Sequence, residues 1–210
     1  MGNVAQFFVE GGIWMVPIAF CSMLVLAVAV ERCYSLLITH SRNAANMMST
    51  IKPLLLSHQA DKALKVCSEK PGAALSVLCR YALEQAAGSE EEIRQGIDEG
   101  MMEAVPKVQK RIHTLSGLAS LATLLGLLGT VMGLIEAFTV VADAPPDQKS
   151  ILLTRAISVA MNCTAFGLMV AIPAMFFQLF LSGIAKKLND DLEAVSMKLE
   201  NLLIATRLKK

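Results

Sequence analysis

The sequence predicts an all-α membrane protein, with three transmembrane helices and long helices extending into a cytoplasmic helical domain. Of its 210 residues, 54% are hydrophobic, and the mean hydropathy is +0.53, a balance outside the range of an ordinary soluble domain. Three uncharged stretches, Gly11 to Val30, Thr114 to Ile135 and Ala156 to Ala185, each reach or pass the roughly 20 residues a helix needs to cross hydrocarbon. The remaining segments carry helix signals, and no strand signal of any length interrupts them.

In chain order the predicted elements are an outer N-terminal segment (1–10), a first transmembrane helix (11–38), a cytoplasmic helical region (39–113), a second transmembrane helix (114–142), a short outer loop (143–149), a third transmembrane helix (150–185) and a cytoplasmic C-terminal helix (186–210). Orientation follows from the basic residues. None of the 19 Lys and Arg precedes Arg32, while the Arg32 to Arg111 region and the tail after Ala185 are rich in them. Basic residues favour the cytoplasmic side, which puts the N-terminus outside and the C-terminus inside. Trp14 then reads as an outer interfacial anchor, and MGNVAQFFVE has no basic n-region of a cleaved signal.

Within the cytoplasmic region, SEEE at Ser89 to Glu92 is a capping box that starts a helix able to run on into the second span, with Pro106 as its kink. Pro71 and Gly72 separate a helix around Ala60 to Glu69 from another around Ala73 to Ala86. Beyond the third span, Leu188, Leu192, Val195, Leu199 and Leu202 recur at helical spacing among charged residues. This stripe requires a partner, either the Ser89 helix or a neighbouring subunit.

A net charge of +1 gives no reason to expect nucleic acid as a partner. Cys21, Cys33, Cys67, Cys79 and Cys163 are scattered without a CxxC and read as buried thiols. His40, His58 and His113 lack ligand spacing, so neither a metal nor an enzymatic site is expected.

The second and third spans each have two faces. Ser116, Ala119, Thr123, Gly126, Thr130, Gly133 and Ala137 form a face of small residues, with Leu118, Leu121, Leu125, Leu128, Met132 and Ile135 on a bulky one. In the third span Ala156, Ala160, Thr164, Gly167, Ala171 and Ala174 repeat the small stripe, ending at Gln178, opposite Val159, Phe166, Val170, Pro173, Phe177 and Phe180. Helices in lipid associate through close packing, which small residues permit, so a helix contact is the plainest use of these stripes.

A hairpin turning at Pro145 and Pro146 brings Thr130 to the level of Asn162 and Thr164, a polar belt at mid-membrane where polar groups need partners and often carry function. Each Thr hydroxyl can satisfy itself on its own helix, and Asn162 can bond across helices. Glu136 and Arg155 reach a common level nearer the outer surface and read as a candidate ion pair that pins the hairpin. No carboxylate, His or Lys lies at the belt, so passing protons need a titrating group from a second protein.

GLLGTVMGLIEAF at Gly126 to Phe138, AISVAMNCTAFGLMVAIPA at Ala156 to Ala174 and ERCYSL at Glu31 to Leu36 resemble the signatures of the MotA/TolQ/ExbB proton-channel family. The three-span layout is similar to its ExbB/TolQ branch. The resemblance implies a stator subunit of an inner-membrane motor, a homopentamer around a dimer of a single-span ExbD/TolR-like partner. That partner carries a membrane Asp, protons are the coupling ion, and no cofactor is expected. It implies pore-lining roles for Thr130 and Thr164 and matches Pro173 to the proline of its AIPA; the belt adds Asn162 to the pore lining, and the small stripes give Gly126, Gly133 and Gly167, with Pro173, as pore-helix packing residues. ExbB and TolQ commonly carry Glu five residues before the third-span Thr, and here that position is Val159. The resemblance leaves open whether the motor drives envelope transport, envelope maintenance or gliding. A membrane scaffold, or a small-molecule transporter subunit without proton coupling, is the alternative reading.

Overall fold

A computed structural model describes residues 12–40, 49–51, 53–54, 60–68 and 73–207. The outer segment 1–10, His58 and the break at Pro71 and Gly72 lie outside the described residues. The helices are α1 (Met15–Tyr34), wound on as a π-helix over Ser35–His40, α2 (Ala60–Ser68), α3 (Ala74–Glu84), α4 (Glu90–Gln109), α5 (Ile112–Asp143) and α6 (Pro146–Arg207). Among the described residues there is no strand. Three stretches, Met15–Leu37, Glu90–Asp143 and Pro146–Ala205, are helical, long and apolar enough to cross a membrane. The chain is an all-α membrane protein.

The chain divides into two compact units, Met1–Val30 with His113–Leu179, and Glu31–Ile112 with Phe180–Lys210. The first is the three-helix membrane unit. The turn between its last two helices is tighter than the loop 143–149 expected from sequence, because α5 runs to Asp143 and α6 already begins at Pro146. Proline is preorganised for the first turn of a helix, where its missing N–H is no loss. The N–H groups of Gln148 and Lys149 bond back to the Pro145 carbonyl at 3.0 and 3.2 Å, drawing these residues into the helix.

The second unit is built on α3 and α4. Gly96 and Gly100, both buried, let α4 lie so close to α3 that a Cβ at Gly100 would stand 3.1 Å from the Leu78 Cα. Leu78, Ile93, Ile97, Ala104 and Val108 fill the core, and α6 adds Leu181, Leu188, Leu192, Leu199 and Leu203. The amphipathic stripe of α6 thus finds its partner within the chain. Arg94 of α4 binds Glu200 of α6 at 3.0 Å, and a groove lined by Ala74, Leu75, Val108, Leu188 and Leu192 marks where the three helices meet.

Ser89 caps α4 as expected: its hydroxyl accepts from the Glu92 N–H at 3.2 Å, and the Glu92 carboxylate accepts from the Ser89 N–H. Ser89→Ala is expected to lower the unfolding free energy of this unit by about 1 kcal/mol, measurable as a lower midpoint in denaturant titration of the purified chain.

The helix started by Ser89 does not run on unbroken into the second span. Pro106 stays inside α4, and the helix ends one turn later, where the Lys110 N–H bonds the Pro106 carbonyl at 2.8 Å and Arg111 takes a left-handed φ of 57°. A non-glycine residue there costs roughly 1–2 kcal/mol. Its guanidinium binds both oxygens of Glu31 at 2.8 and 2.6 Å, a half-exposed pair worth at most about 1 kcal/mol. Neighbouring Arg32 is 3% exposed, and its Nε has no hydrogen-bond partner among the described residues.

Of the cysteines, Cys21, Cys67, Cys79 and Cys163 are buried. Cys33 corrects the expectation, being only half-buried. The Cys67 and Cys79 thiols share a hydrogen bond where α2 packs on α3; it holds Cys67 below the usual thiol value and, with burial, pushes Cys79 well above it.

Candidate functional site

The small stripes of α5 and α6 face each other. A Cβ added at Gly167 would lie 2.7 Å from the Ala122 carbonyl oxygen and 3.0 Å from the Gly126 Cα; one added at Gly133 would lie 3.1 Å from the Ala160 Cβ. Ala119, Gly126, Ala137, Ala160, Gly167, Ala171 and Ala174 are buried in consequence. Most of the bulky residues turn outward, including Leu121, Leu128, Met132 and Ile135 on α5 and Phe177 and Phe180 on α6, while Leu118 and Val170 are buried. Pro173 is exposed, on the outer side of α6.

The hairpin register matches the depth argument from the turn. Gly133 lies against Ala160, Gly129 against Cys163, and Gly126 against Thr164 and Gly167, which sets Thr130 level with Asn162. The two threonines use their protons differently. Thr164 Oγ1 donates across the seam to the Gly126 carbonyl at 3.0 Å. Thr130 Oγ1 donates to the Leu127 carbonyl of its own helix at 2.6 Å. A hydroxyl that has spent its proton on a carbonyl still offers acceptor lone pairs. Asn162 is half-buried, and its amide bonds no described residue. In hydrocarbon an unbonded amide costs several kcal/mol, so Asn162 needs a partner beyond the described residues, such as water or another chain.

Trp14 lies where the sequence does not put it. Its Cβ would be 3.4 Å from a Cβ at Gly129, and Val159 stands 3.7 Å from one at Gly12, whose φ is 72°. The start of α1 is therefore level with Thr130 and Cys163, not with the tip of the hairpin. An outer anchor at Trp14 and a mid-membrane belt at Thr130 exclude one another. The sequence argument placed the belt by counting from the hairpin turn, which does not locate the start of α1.

Glu136 and Arg155 line one groove of about 340 Å³ with Gly133, Ala137, Val140, Leu152, Ala156 and Val159. Both charges are exposed, and the expected ion pair between them is not closed in the single chain. Among the described residues, the level of Thr130 holds the Cys163 thiol and no carboxylate, His or Lys, and no group of three or more His, Cys, Asp or Glu could hold a metal. The sequence reading missed Ala122, Gly129 and Cys163 as seam residues. Their signal was the third glycine: Gly126, Gly129 and Gly133 at spacings of three and four broaden the small face towards α1.

Three helices long and apolar enough to span a membrane, the second and third joined on small, threonine-bearing faces, define a helical membrane subunit. The model of the MotA/TolQ/ExbB proton channel family matches residues 71–194, more than half of the chain, and the chain belongs to that family. It is similar to biopolymer transport protein exbB1 of Vibrio cholerae, 28% identical over 97% of this chain and 92% of the relative. A putative biopolymer transport protein, ExbB-like 1 of Synechocystis, is 27% identical over 92% of this chain and 76% of its own length. Biopolymer transport protein ExbB of Aquifex aeolicus is 34% identical over 42% of this chain and 60% of its own. These relatives place the chain on the ExbB-like branch.

Proposed function

We propose that the chain is the proton-channel subunit of an inner-membrane motor that couples proton-motive force to movement of a single-span ExbD/TolR-like partner. The observation that carries this reading is the level of Thr130, Thr164 and Asn162. Three polar side chains lie there within one helical turn of each other on the α5–α6 hairpin, with no carboxylate among the described residues at that level. The relatives' names support transport of biopolymers as the process energised.

The chemistry follows from the hydrogen bonds. With both hydroxyl protons donated to carbonyls, Thr130 and Thr164 present acceptors to a pore, which suits a protonated carboxyl or a hydrated proton. A hydroxyl that rotates away from its carbonyl becomes a donor for the ionised carboxylate. The partner's Asp thus meets a different bonding pattern in each protonation state. Differential interaction of that kind is what lets proton binding shift a conformational equilibrium. Each proton crossing the field contributes about 2.3 kcal/mol per 100 mV to the bias.

The test is co-expression with a neighbouring single-span protein that has an Asp in its span, purification, subunit counting and proton-flux measurement in vesicles. We expect a pentamer holding two partner copies, with flux that disappears when the partner's Asp becomes Asn. A chain that purifies without such a partner and passes no more protons than empty vesicles would be a scaffold.

A further inference from the structure

We propose that Glu136 and Arg155 form their ion pair between copies of this chain, Glu136 of one copy meeting Arg155 of the next across the outer arm of the α5–α6 hairpin. The inference rests on the preceding reading only in supposing that several copies assemble.

Three observations carry it. Both charges line the same open groove of about 340 Å³, both are exposed, and neither pairs with a described residue. Beyond the level of Trp14 and Gly129, the hairpin continues to Asp143, an outer arm of about 20 Å at 1.5 Å per residue. That arm is apolar on its outside: Ile135 is 53% exposed, Phe138 64%, Val140 50% and Ile151 71%. A cluster of this kind flanking unpaired charges marks a surface to be covered.

The occupant follows from charge. Acyl chains could cover Phe138 and Ile151 but would leave a carboxylate and a guanidinium unpaired at high cost. Water would satisfy the charges and leave the apolar residues exposed. A second copy supplies both needs, since every copy carries one acidic and one basic group in the same groove. A head-to-tail contact of this kind repeats around a closed ring. Val159, on the groove wall one helical turn from Arg155, adds no charge of its own and leaves Glu136 as the groove's single carboxylate.

The experiment uses full-length chains bearing two different affinity tags, with co-purification of one tag through the other as the readout. Glu136→Arg chains mixed with themselves, and Arg155→Glu chains mixed with themselves, should co-purify about tenfold less than the unaltered chain, because like charges then meet at every contact. Mixing Glu136→Arg with Arg155→Glu chains should restore most of the co-purification, since all but one contact of an alternating five-membered ring then joins opposite charges, and the double reversal in one chain should restore it fully. A pair closed within each chain would be rescued by the double reversal and not by mixing, which would overturn the proposal; so would single reversals that co-purify normally. Should the reversals fail to insert, Glu136→Cys in one copy and Arg155→Cys in another should give an oxidative cross-link between the two tags, mapped by mass spectrometry. A cross-link found only within a chain carrying both cysteines would overturn it. Assembly is read here without proton flux, so failure of the motor reading and failure of this contact give different results.

Discussion

Gly167→Ala destabilises the membrane unit, while Gly117→Ala in the neighbouring span stabilises it or leaves it unchanged. The two substitutions add the same methyl group to transmembrane helices, and helix propensity alone would favour both by up to about 1 kcal/mol. Their surroundings reverse the sign. At Gly117 nothing lies within 4 Å of an added Cβ, whereas at Gly167 the Ala122 carbonyl oxygen stands at 2.7 Å and the Gly126 Cα at 3.0 Å. Both obstructions are backbone, so no rotamer change relieves them, and α5 must move away from α6. The movement would stretch the 3.0 Å bond from Thr164 to the Gly126 carbonyl and loosen the packing on which helix association in lipid depends. Overpacking of this type costs about 1–3 kcal/mol, so Gly167→Ala should lose that much, and Gly167→Val more. Trp14, the one tryptophan in the chain, lies against Gly129 in the same unit and provides the probe. We expect the Gly167 variants to show a lower thermal midpoint by Trp14 fluorescence in detergent, and Gly117→Ala to match or exceed the unaltered chain. Equal midpoints for Gly167→Ala and Gly117→Ala would show that the seam opens in the assembled protein.

What the sequence conveyed well was anything written as a period. Small residues at three and four, repeated in two neighbouring spans around Pro145 and Pro146, are enough to pair α5 with α6 and to predict their register. The Ser89 box and the leucine stripe of α6 were legible for the same reason, because capping and amphipathicity are local patterns. The features the sequence hid depend on distance between segments. Nothing local to Pro106 says that α4 absorbs it and breaks at Arg111, since the left-handed residue there is held by Glu31, far away in the chain. The level that Trp14 shares with Gly129 was hidden because counting from the hairpin turn orders α5 and α6 by depth and leaves α1 free to slide. Glu136 and Arg155 were correctly put at one level, where they share a groove; whether a charge pair closes within a chain or between chains is a property of side-chain reach and neighbours that spacing does not encode.

The threonines should separate stability from function. Thr130→Val removes a bond that the hydroxyl makes inside its own helix, to the Leu127 carbonyl. Bonding of this kind adds little to helix stability, so insertion and assembly should be unchanged. Thr164→Val removes the bond across the seam to Gly126, and interhelical bonds in membranes average about 0.6 kcal/mol, so a small fall in thermal midpoint is expected. The isosteric methyl keeps the seam filled in both cases. Proton flux with the partner present should nonetheless drop at least about tenfold in each, the equivalent of some 1.4 kcal/mol in a barrier, because valine removes one of the two hydroxyls that can both accept from and donate to the partner's carboxyl. Thr130→Ser and Thr164→Ser return the hydroxyl and should return the flux. The serine variants matter most: if the threonines serve only to pack, valine should be tolerated and serine, a methyl smaller, should be the worse substitution. If they serve the proton, the order reverses. Valine variants with undiminished flux would remove Thr130 and Thr164 from the pathway and leave Asn162, whose amide has no partner among the described residues, as the polar group to test next.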